Sequence, residues 1–394
     1  EQDNFRAAWD WAVALGEFNL IEQTLRTLWM YYDTRGWYQE GLDALGRAVD
    51  ALEMAHGHLP SGRPEQVALA HILSTRAWLA YRLADYQQAQ GMLERSLAIL
   101  RPLNEMGVMV EALPRLGMLM EAIGNFAGAL ELYSEGAELA AAVGDRYYAA
   151  LSLTLLNALH AVTPDMVNPE DAYARLQAAV DDCRRLGDPR LTGFGLRLLS
   201  QSAYTLRRYA EARSALEESV ELNGSIGFGW GLGAAYRGLG RIAQAQGQHQ
   251  QAVVMFRKAL DTFTELGGSW WVARLLAEMS YSFFALGNDA EAESVWRESL
   301  RIATEIHGTP VALDALAGLA SLQAKQGDLL PQALELLLIV LNHPACLQDT
   351  RDRVNPLRAE VEARLSRQQV EAAQSQARVK PFDQMVEQIL REGS

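Results

Sequence analysis

The chain has 394 residues, 49% of them hydrophobic and 21% charged, which is ample for a large core. A net charge of −14 sets the bulk surface against phosphate backbones and anionic lipid, which excludes nucleic acid and membrane as partners of this region. Two cysteines, Cys183 and Cys346, form neither a disulfide framework nor a metal spacing, and charge interrupts every long apolar stretch before about 18 residues. A cytoplasmic protein without a membrane span is therefore expected. Because Glu1 stands where an initiator Met would, a longer parent polypeptide is also expected.

In chain order, "DNFRAAWDWAVALG" (3–16) reads as an opening helix, and "HGHLPSGRPE" (56–65) is the one clear linker. A pattern then repeats: a small residue or Gly, any residue, an aromatic or His, two more, then Ala. It recurs at Ala84–Ala89, Gly124–Ala129, Arg207–Ala212, Gly247–Ala252 and, with Asp in the aromatic slot, Gly287–Ala292. Gly36–Gly41 is a looser copy, and Gly327–Ala333 carries one extra residue. The closing small residues fall at 41, 89, 129, 172, 212, 252, 292 and 333, mostly 40 or 41 apart. A second marker follows at Gly144, Gly187, Gly227 and Gly267, with Asn104 and His307 in the same slot. Two markers locked to one period indicate helix, tight turn, helix, C-cap in each unit.

In register with these markers, Tyr236, Leu239 and Gly240, then Gly247, His249, Ala252, Phe256 and Ala259 resemble the tetratricopeptide signature. The usual period of that repeat is about 34 residues, so each pair here is longer by roughly one and a half turns. The resemblance implies an all-α fold, a tetratricopeptide-like α-solenoid whose right-handed superhelix holds about eight helix pairs. Three regions follow: an opening helix and first repeat over 1–56, repeats two to eight over 66–342, and C-terminal capping helices over 343–394. In the fourth repeat, "TPDMVNPED" (163–171) replaces the tight turn and is expected to project as a loop.

One stretch competes with this reading. Gly229-Trp230-Gly231-Leu232-Gly233-Ala234 spells G-x-G-x-x-A, a dinucleotide-binding turn. Such a turn follows a buried strand. Here Ala212, Leu216, Ser219 and Val220 precede it at helical spacing, so the glycines belong to a helix and serve close packing.

In the tetratricopeptide family the first helices line the concave groove. Its usual ligand-facing rows, mapped on this register, are His71, Ser74, Trp78 and Tyr81 in repeat two and Glu111, Pro114, Met118 and Glu121 in repeat three. Repeat five contributes Phe194, Arg197, Gln201 and Tyr204, repeat six Ala234, Arg237, Arg241 and Gln244, repeat seven Arg274, Ala277, Tyr281 and Phe284. The expected site is thus Trp78, Tyr81, Arg197, Gln201, Tyr204, Arg237, Arg241, Gln244, Arg274 and Tyr281. Forked guanidinium donors and aromatic faces suit a carboxylate or phosphate, so an anionic small molecule or acidic peptide is one reading. The other is that the arginines only pair with glutamates of neighbouring helices.

Catalytic chemistry is not evident. No nucleophile–base or paired-carboxylate spacing is present, no cofactor is expected, and His56-Gly57-His58 has no third metal ligand. His71 and His160 read as structural histidines, and Trp9, Trp11, Trp29, Trp37, Trp270 and Trp271 as core residues.

Both ends carry more than the repeat. Asn4-Phe5-Arg6-Ala7-Ala8, the Trp/Tyr-rich helix after it and Arg35-Gly36 through Glu40-Gly41 resemble the start of the helical-repeat region in bacterial STAND signal-transduction ATPases, the group of LuxR/AfsR-like regulators. "LNHPACLQDTRDRVNPLRAEVEARLS" (341–366) is similar to the C-terminal end of that region. The resemblance implies a non-catalytic sensor that recognises a peptide, protein or small anionic inducer. It would control an NTPase module N-terminal to it in the same polypeptide, since these residues contain no phosphate-binding loop. A passive protein–protein scaffold is the alternative.

Overall fold

The computed structural model of the chain describes residues 2–56, 59–83, 85–162 and 167–392, and among them the backbone forms twenty helices and no strand. The opening helix α1 spans Gln2–Leu15. Eight helix pairs follow: α2 Phe18–Arg35 with α3 Tyr38–His56, α4 Arg63–Arg82 with α5 Tyr86–Leu103, α6 Met106–Ala122 with α7 Phe126–Val143, and α8 Arg146–Val162 with α9 Pro169–Leu186. Then come α10 Pro189–Thr205 with α11 Tyr209–Ser225, α12 Gly229–Ala245 with α13 His249–Glu265, α14 Ser269–Ala285 with α15 Asp289–Glu305, and α16 Thr309–Gln326 with α17 Leu330–Asn342. The C-terminal helices are α18 Gln348–Ala363, α19 Arg367–Val379 and α20 Phe382–Glu392. The chain forms two compact units, Glu1–Gly238 and Leu239–Ser394.

The repeat markers each have a structural cause. The turn alanines Ala89, Ala129, Ala172, Ala212, Ala252, Ala292 and Ala333 are all fully buried where the paired helices cross. First helices end on a left-handed residue: at Gly247 φ is 71°, and the next amide, Gln248, closes back on the Ala243 carbonyl at 2.8 Å. The second marker is the same device on the second helix. Asn104 and His307 adopt φ of 56° and 55°, the conformation that Gly144 and Gly267 hold without steric cost.

Packing within a pair runs on one close approach. A Cβ at Gly240 of α12 would lie 2.7 Å from the Phe256 ring of α13, and one at Gly117 of α6 would lie 2.4 Å from Tyr133 of α7. The first helix gives up a side chain so that the second can bury a large ring completely, a gain of about 1.5–3 kcal/mol per ring. Seven residues after the turn alanine, buried Ser96, Ser219 and Ser299 donate to the carbonyls of Ala70, Gly193 and Ala273 at 2.6, 3.0 and 2.7 Å. Each such bond ties a second helix to its first and satisfies the serine hydroxyl that makes it.

The glycine-rich stretch is helical, as its register requires. Gly231 packs against the end of α11, where a Cβ would lie 2.3 Å from the Asn223 carboxamide oxygen. A dinucleotide turn is excluded because a helix, α11, precedes it.

Two expectations need amendment. Asn168 caps α9 by accepting from the amides of Glu170 and Asp171, with Pro169 in the first turn, so residues 169–171 open a helix instead of extending a loop. Trp9 is core, but Trp11 is 57% exposed and lies outside it. Ala84, residues 163–166 and the side chains of the His56–His58 pair lie outside the described residues.

In the second unit the C-terminal helices fold onto the last repeats. α18 and α19 pack on α17, α18 also on α16, and α20 reaches α15, where Arg297 donates to the Ile389 carbonyl. Much of their remaining surface is exposed.

Candidate functional site

First helices carry their inner faces into a cavity of about 330 Å³ within the first unit. Trp29 of α2, Trp78, Tyr81 and Arg82 of α4, Glu111, Arg115 and Glu121 of α6, Tyr147 and Tyr148 of α8, and Arg190, Phe194 and Arg197 of α10 line it. Phe228 and Trp230, at the start of α12, complete the wall. Aromatic rings and guanidinium groups dominate, and an apolar side is built by Met118, Phe126, Leu151, Leu155 and Leu198.

Behind the wall, Asp33 of α2 is completely buried and organises two of the arginines. Its Oδ1 accepts from Arg82 Nε at 2.9 Å and from Trp78 Nε1 at 3.2 Å, while Oδ2 pairs with Arg190. The same guanidiniums are clamped between rings. Arg82 lies 4.8 Å from the Trp78 centroid and 4.1 Å from that of Trp230; Arg190 lies 4.8 Å from Trp29 and 4.2 Å from Phe228. Such contacts gain strength where water is excluded. Burial lowers the pKa of both arginines, that of Arg190 to about 10, so Arg190 remains charged at neutral pH.

Arg115 is held separately. It donates to Ser74 Oγ at 2.8 Å and to Glu111 Oε2 at 3.1 Å. Glu111 in turn faces His71 Nε2 at 3.5 Å, and Glu22 approaches His71 Nδ1 at 3.9 Å. Burial acts to raise the Glu111 pKa, but the His71 hydrogen bond and the Arg115 and His71 charges outweigh it and bring it to about 2. Tyr133 donates to Glu121 at 2.9 Å, and burial raises the Glu121 pKa. Burial also lifts Tyr81 to about 12, so it stays a neutral donor.

Arg197 differs from the other three. Its guanidinium rests on the Phe194 and Trp230 rings at 5.0 and 5.8 Å, and its enclosed Nε has no hydrogen-bond partner among the described residues.

Of the residues expected from the sequence, Trp78, Tyr81 and Arg197 line this cavity. Tyr204 meets the Tyr209 ring at 5.6 Å near the end of α10, Gln201 is exposed, and Arg237 is close enough to Arg197 for their charges to interact. Arg241, Gln244, Arg274 and Tyr281 belong to the second unit and are engaged there. Arg241 pairs with Asp349 at 3.3 Å, and Gln244 donates to the Glu278 carbonyl and Ser282. Arg274 pairs with Glu278 at 2.9 Å. Tyr281 donates to the Asp314 carbonyl at 3.1 Å and lies under Arg353 of α18. Thr350 and Arg353 of α18 both bind the buried Asp314 carboxylate, so the C-terminal helix occupies the faces that these positions present.

The sequence reading did not include Asp33, Arg82, Arg115, Arg190, Phe228 or Trp230 in the site, and Trp29, expected as a core residue, stands in the cavity wall instead. Two of them carried a signal in register: Arg190 and Trp230 are each the second residue of a first helix, in the same repeat slot. Arg82 and Arg115 follow the expected Tyr81 and Pro114 by one position, so the inner face is wider than the four rows used.

No metal-binding cluster of His, Cys, Asp and Glu occurs among the described residues, and no described helix is long and apolar enough to cross a membrane. The tetratricopeptide repeat profile matches residues 232–266, the α12–α13 pair. Comparison with curated proteins returns no match. Among solved structures, a Rap protein complexed with Competence and Sporulation Factor superposes with a TM-score of 0.60 at 13% identity, over 91% of this chain and 99% of that one. The apo form of the quorum sensor NprR from B. thuringiensis gives 0.53 at 15% identity, over 94% and 99%. A STAND protein with a tetratricopeptide repeat sensor from Pyrococcus horikoshii gives 0.47 at 16% identity, over 86% of this chain and 55% of that one, too loose to carry an argument. At these identities the likeness is one of architecture, and the chain has the tetratricopeptide-like helical-repeat fold.

Proposed function

We propose that this chain is a non-catalytic ligand-binding sensor module, and that it recognises a peptide, protein or small anionic inducer in the cavity of its first unit. The observation that carries the reading is the cavity itself. Four arginines and a ring of aromatic side chains converge on a space of about 330 Å³, within the range typical of small-ligand pockets. A purely structural stack has no need to enclose such a volume, because burying charge is costly unless each charge is matched. The like-folded Rap protein is complexed with Competence and Sporulation Factor and like-folded NprR is a quorum sensor, which supports a signal-receiving role.

The resemblance of both chain ends to STAND regulators extends the proposal. The module would act in the cytoplasm and control an NTPase switch carried N-terminally in the same polypeptide. Ligand binding would release that switch, with transcription regulation as the output.

Thermal unfolding measured against a panel of short peptides and small organic acids tests the reading. A true ligand adds about 2.7 kcal/mol of stability at a hundredfold excess over its Kd. The shift should vanish in Ala122→Trp, which fills the cavity from an exposed wall position. A shift that survives this substitution moves the site elsewhere, and no shift with any compound favours a passive scaffold. For the switch, nucleotide hydrolysis by the full polypeptide should rise on adding the same ligand.

A further inference from the structure

We propose that the cavity of the first unit takes a ligand with a single carboxylate on an apolar or aromatic body, and that Arg197 receives that carboxylate. The inference rests on reading the cavity as a ligand site and adds the chemistry of what enters it.

Three of the four guanidiniums that line the cavity are already committed. Arg82 and Arg190 share Asp33, and Arg115 is spent on Ser74 and Glu111. Arg197 alone among them has no hydrogen-bonded or ion-paired partner in the described residues: it rests on ring faces, feels the Glu121 charge only from a distance, and leaves an enclosed Nε without an acceptor. A buried donor left unsatisfied is costly, so an acceptor brought by a ligand restores what the fold leaves out.

Charge sets how many negative groups the ligand carries. Four arginines stand against three carboxylates, those of Glu111 and Glu121 in the wall and of Asp33 behind it. His71 does not alter this balance, because Glu22 faces it from the other side. Within the lining one positive charge remains, centred on Arg197 and reinforced by the neighbouring Arg237, and one carboxylate meets it. A phosphate dianion or a dicarboxylate would bring its second charge against Glu111 and Glu121. Burial depresses the Arg197 pKa, Tyr81 and Glu121 oppose that depression, Arg237 and Arg82 add to it, and a bound carboxylate would oppose it further.

The rest of the wall sets the ligand's body. Met118, Phe126, Leu151, Leu155 and Leu198 offer no hydrogen-bonding groups from their side chains, so what lies against them is apolar. The volume suits a single ring system with a short acid arm. The same group also terminates a peptide that ends in an aromatic residue, so the source is either a free aromatic acid or a chain terminus.

Isothermal titration of the full chain separates these outcomes. The probes are N-acetylphenylalanine, its C-terminal amide, phenyl phosphate, and the peptide Gly-Gly-Gly-Phe with a free or amidated C-terminus. A free acid should bind about tenfold to a hundredfold more tightly than its amide, the range of a charge-assisted hydrogen bond. Phenyl phosphate should bind more weakly than the acid. Arg197→Met should erase the acid-over-amide preference, Arg197→Lys should keep part of it, and Arg241→Met in the second unit should leave it intact. Circular dichroism of each variant checks that the helices persist.

Binding of the peptide acid but not the small acid assigns the chain terminus as source; the reverse assigns the free acid. Equal binding of acid and amide overturns the carboxylate assignment while leaving the cavity as a ligand site. A preference that survives in Arg197→Met overturns the role of Arg197. Binding of no probe overturns the ligand chemistry, and if the wider peptide and acid panel also produces no shift, the ligand-site reading falls with it.

Discussion

Asp33 of α2 accepts from Arg82 of α4 at 2.9 Å across 49 residues of sequence, and its other oxygen pairs with Arg190 of α10. One buried carboxylate thus fastens three first helices around the cavity. Removing it in Asp33→Ala leaves two buried guanidiniums without their counter-ion. Breaking one partner of a buried pair costs about 3–5 kcal/mol. Urea unfolding should show a loss of that size; a loss below about 1 kcal/mol would mean that the arginines reach water by rearranging.

The left-handed residues predict a gain. Arg207 sits at φ 60° on an exposed turn, in the slot that Gly247 fills in the next repeat. Releasing its Cβ strain is worth about 1–2 kcal/mol, and the added unfolded-state freedom of glycine takes back about half of that. Arg207→Gly should therefore stabilise the chain by up to about 1 kcal/mol, read as a rise in denaturation midpoint with unchanged slope.

Two glycine substitutions should have opposite signs. At Gly240 a Cβ would meet the Phe256 ring at 2.7 Å, whereas at Gly91 of α5 nothing lies within 4 Å. Gly240→Ala should destabilise by about 1–3 kcal/mol through overpacking. Gly91→Ala, on an exposed helix face, should stabilise by about 0.5–1 kcal/mol through helix propensity. Paired thermal melts of the two variants check both.

Acid sensitivity should centre on the Glu111–His71 pair. Glu111 has its folded pKa lowered from 4.5 to about 2, so its stabilisation is complete above the unfolded value and drains as pH falls between those limits. For His71, burial lowers the pKa, but the facing carboxylates of Glu111 and Glu22 outweigh it and raise the pKa above 6.5. Its contribution is therefore full in acid below 6.5 and is lost as pH rises through the folded value. Glu111→Gln should flatten the acid limb of a stability–pH profile between about pH 4.5 and pH 2, measured by urea midpoints at each pH. An unchanged limb would place the acid-labile group elsewhere.

What could be read from the chain and what could not divide along the range of the contacts involved. The turn alanines, the left-handed caps at Asn104 and His307 and the Gly240–Phe256 approach are local to one repeat. They recur at one period, and that recurrence makes them visible without coordinates. The same locality let the helical register overrule the G-x-G-x-x-A spelling at Gly229. Trp78, Tyr81 and Arg197 were accessible because repeat position alone puts them on the inner face.

The cavity has a different origin. Asp33, Arg82, Arg190, Phe228 and Trp230 come from three separate first helices and the start of a fourth, and no period links a carboxylate in one with guanidiniums in others. Which arginines are neutralised and which is left over depends on distances that only the packed first unit defines. The same holds for α18, whose Thr350 and Arg353 meet Asp314 and Tyr281 in the second unit. Periodicity therefore determines the repeat and its joints, because those contacts are made between neighbours along the chain. Tertiary structure decides the charge balance of the site, because electrostatic matching is set by proximity in space.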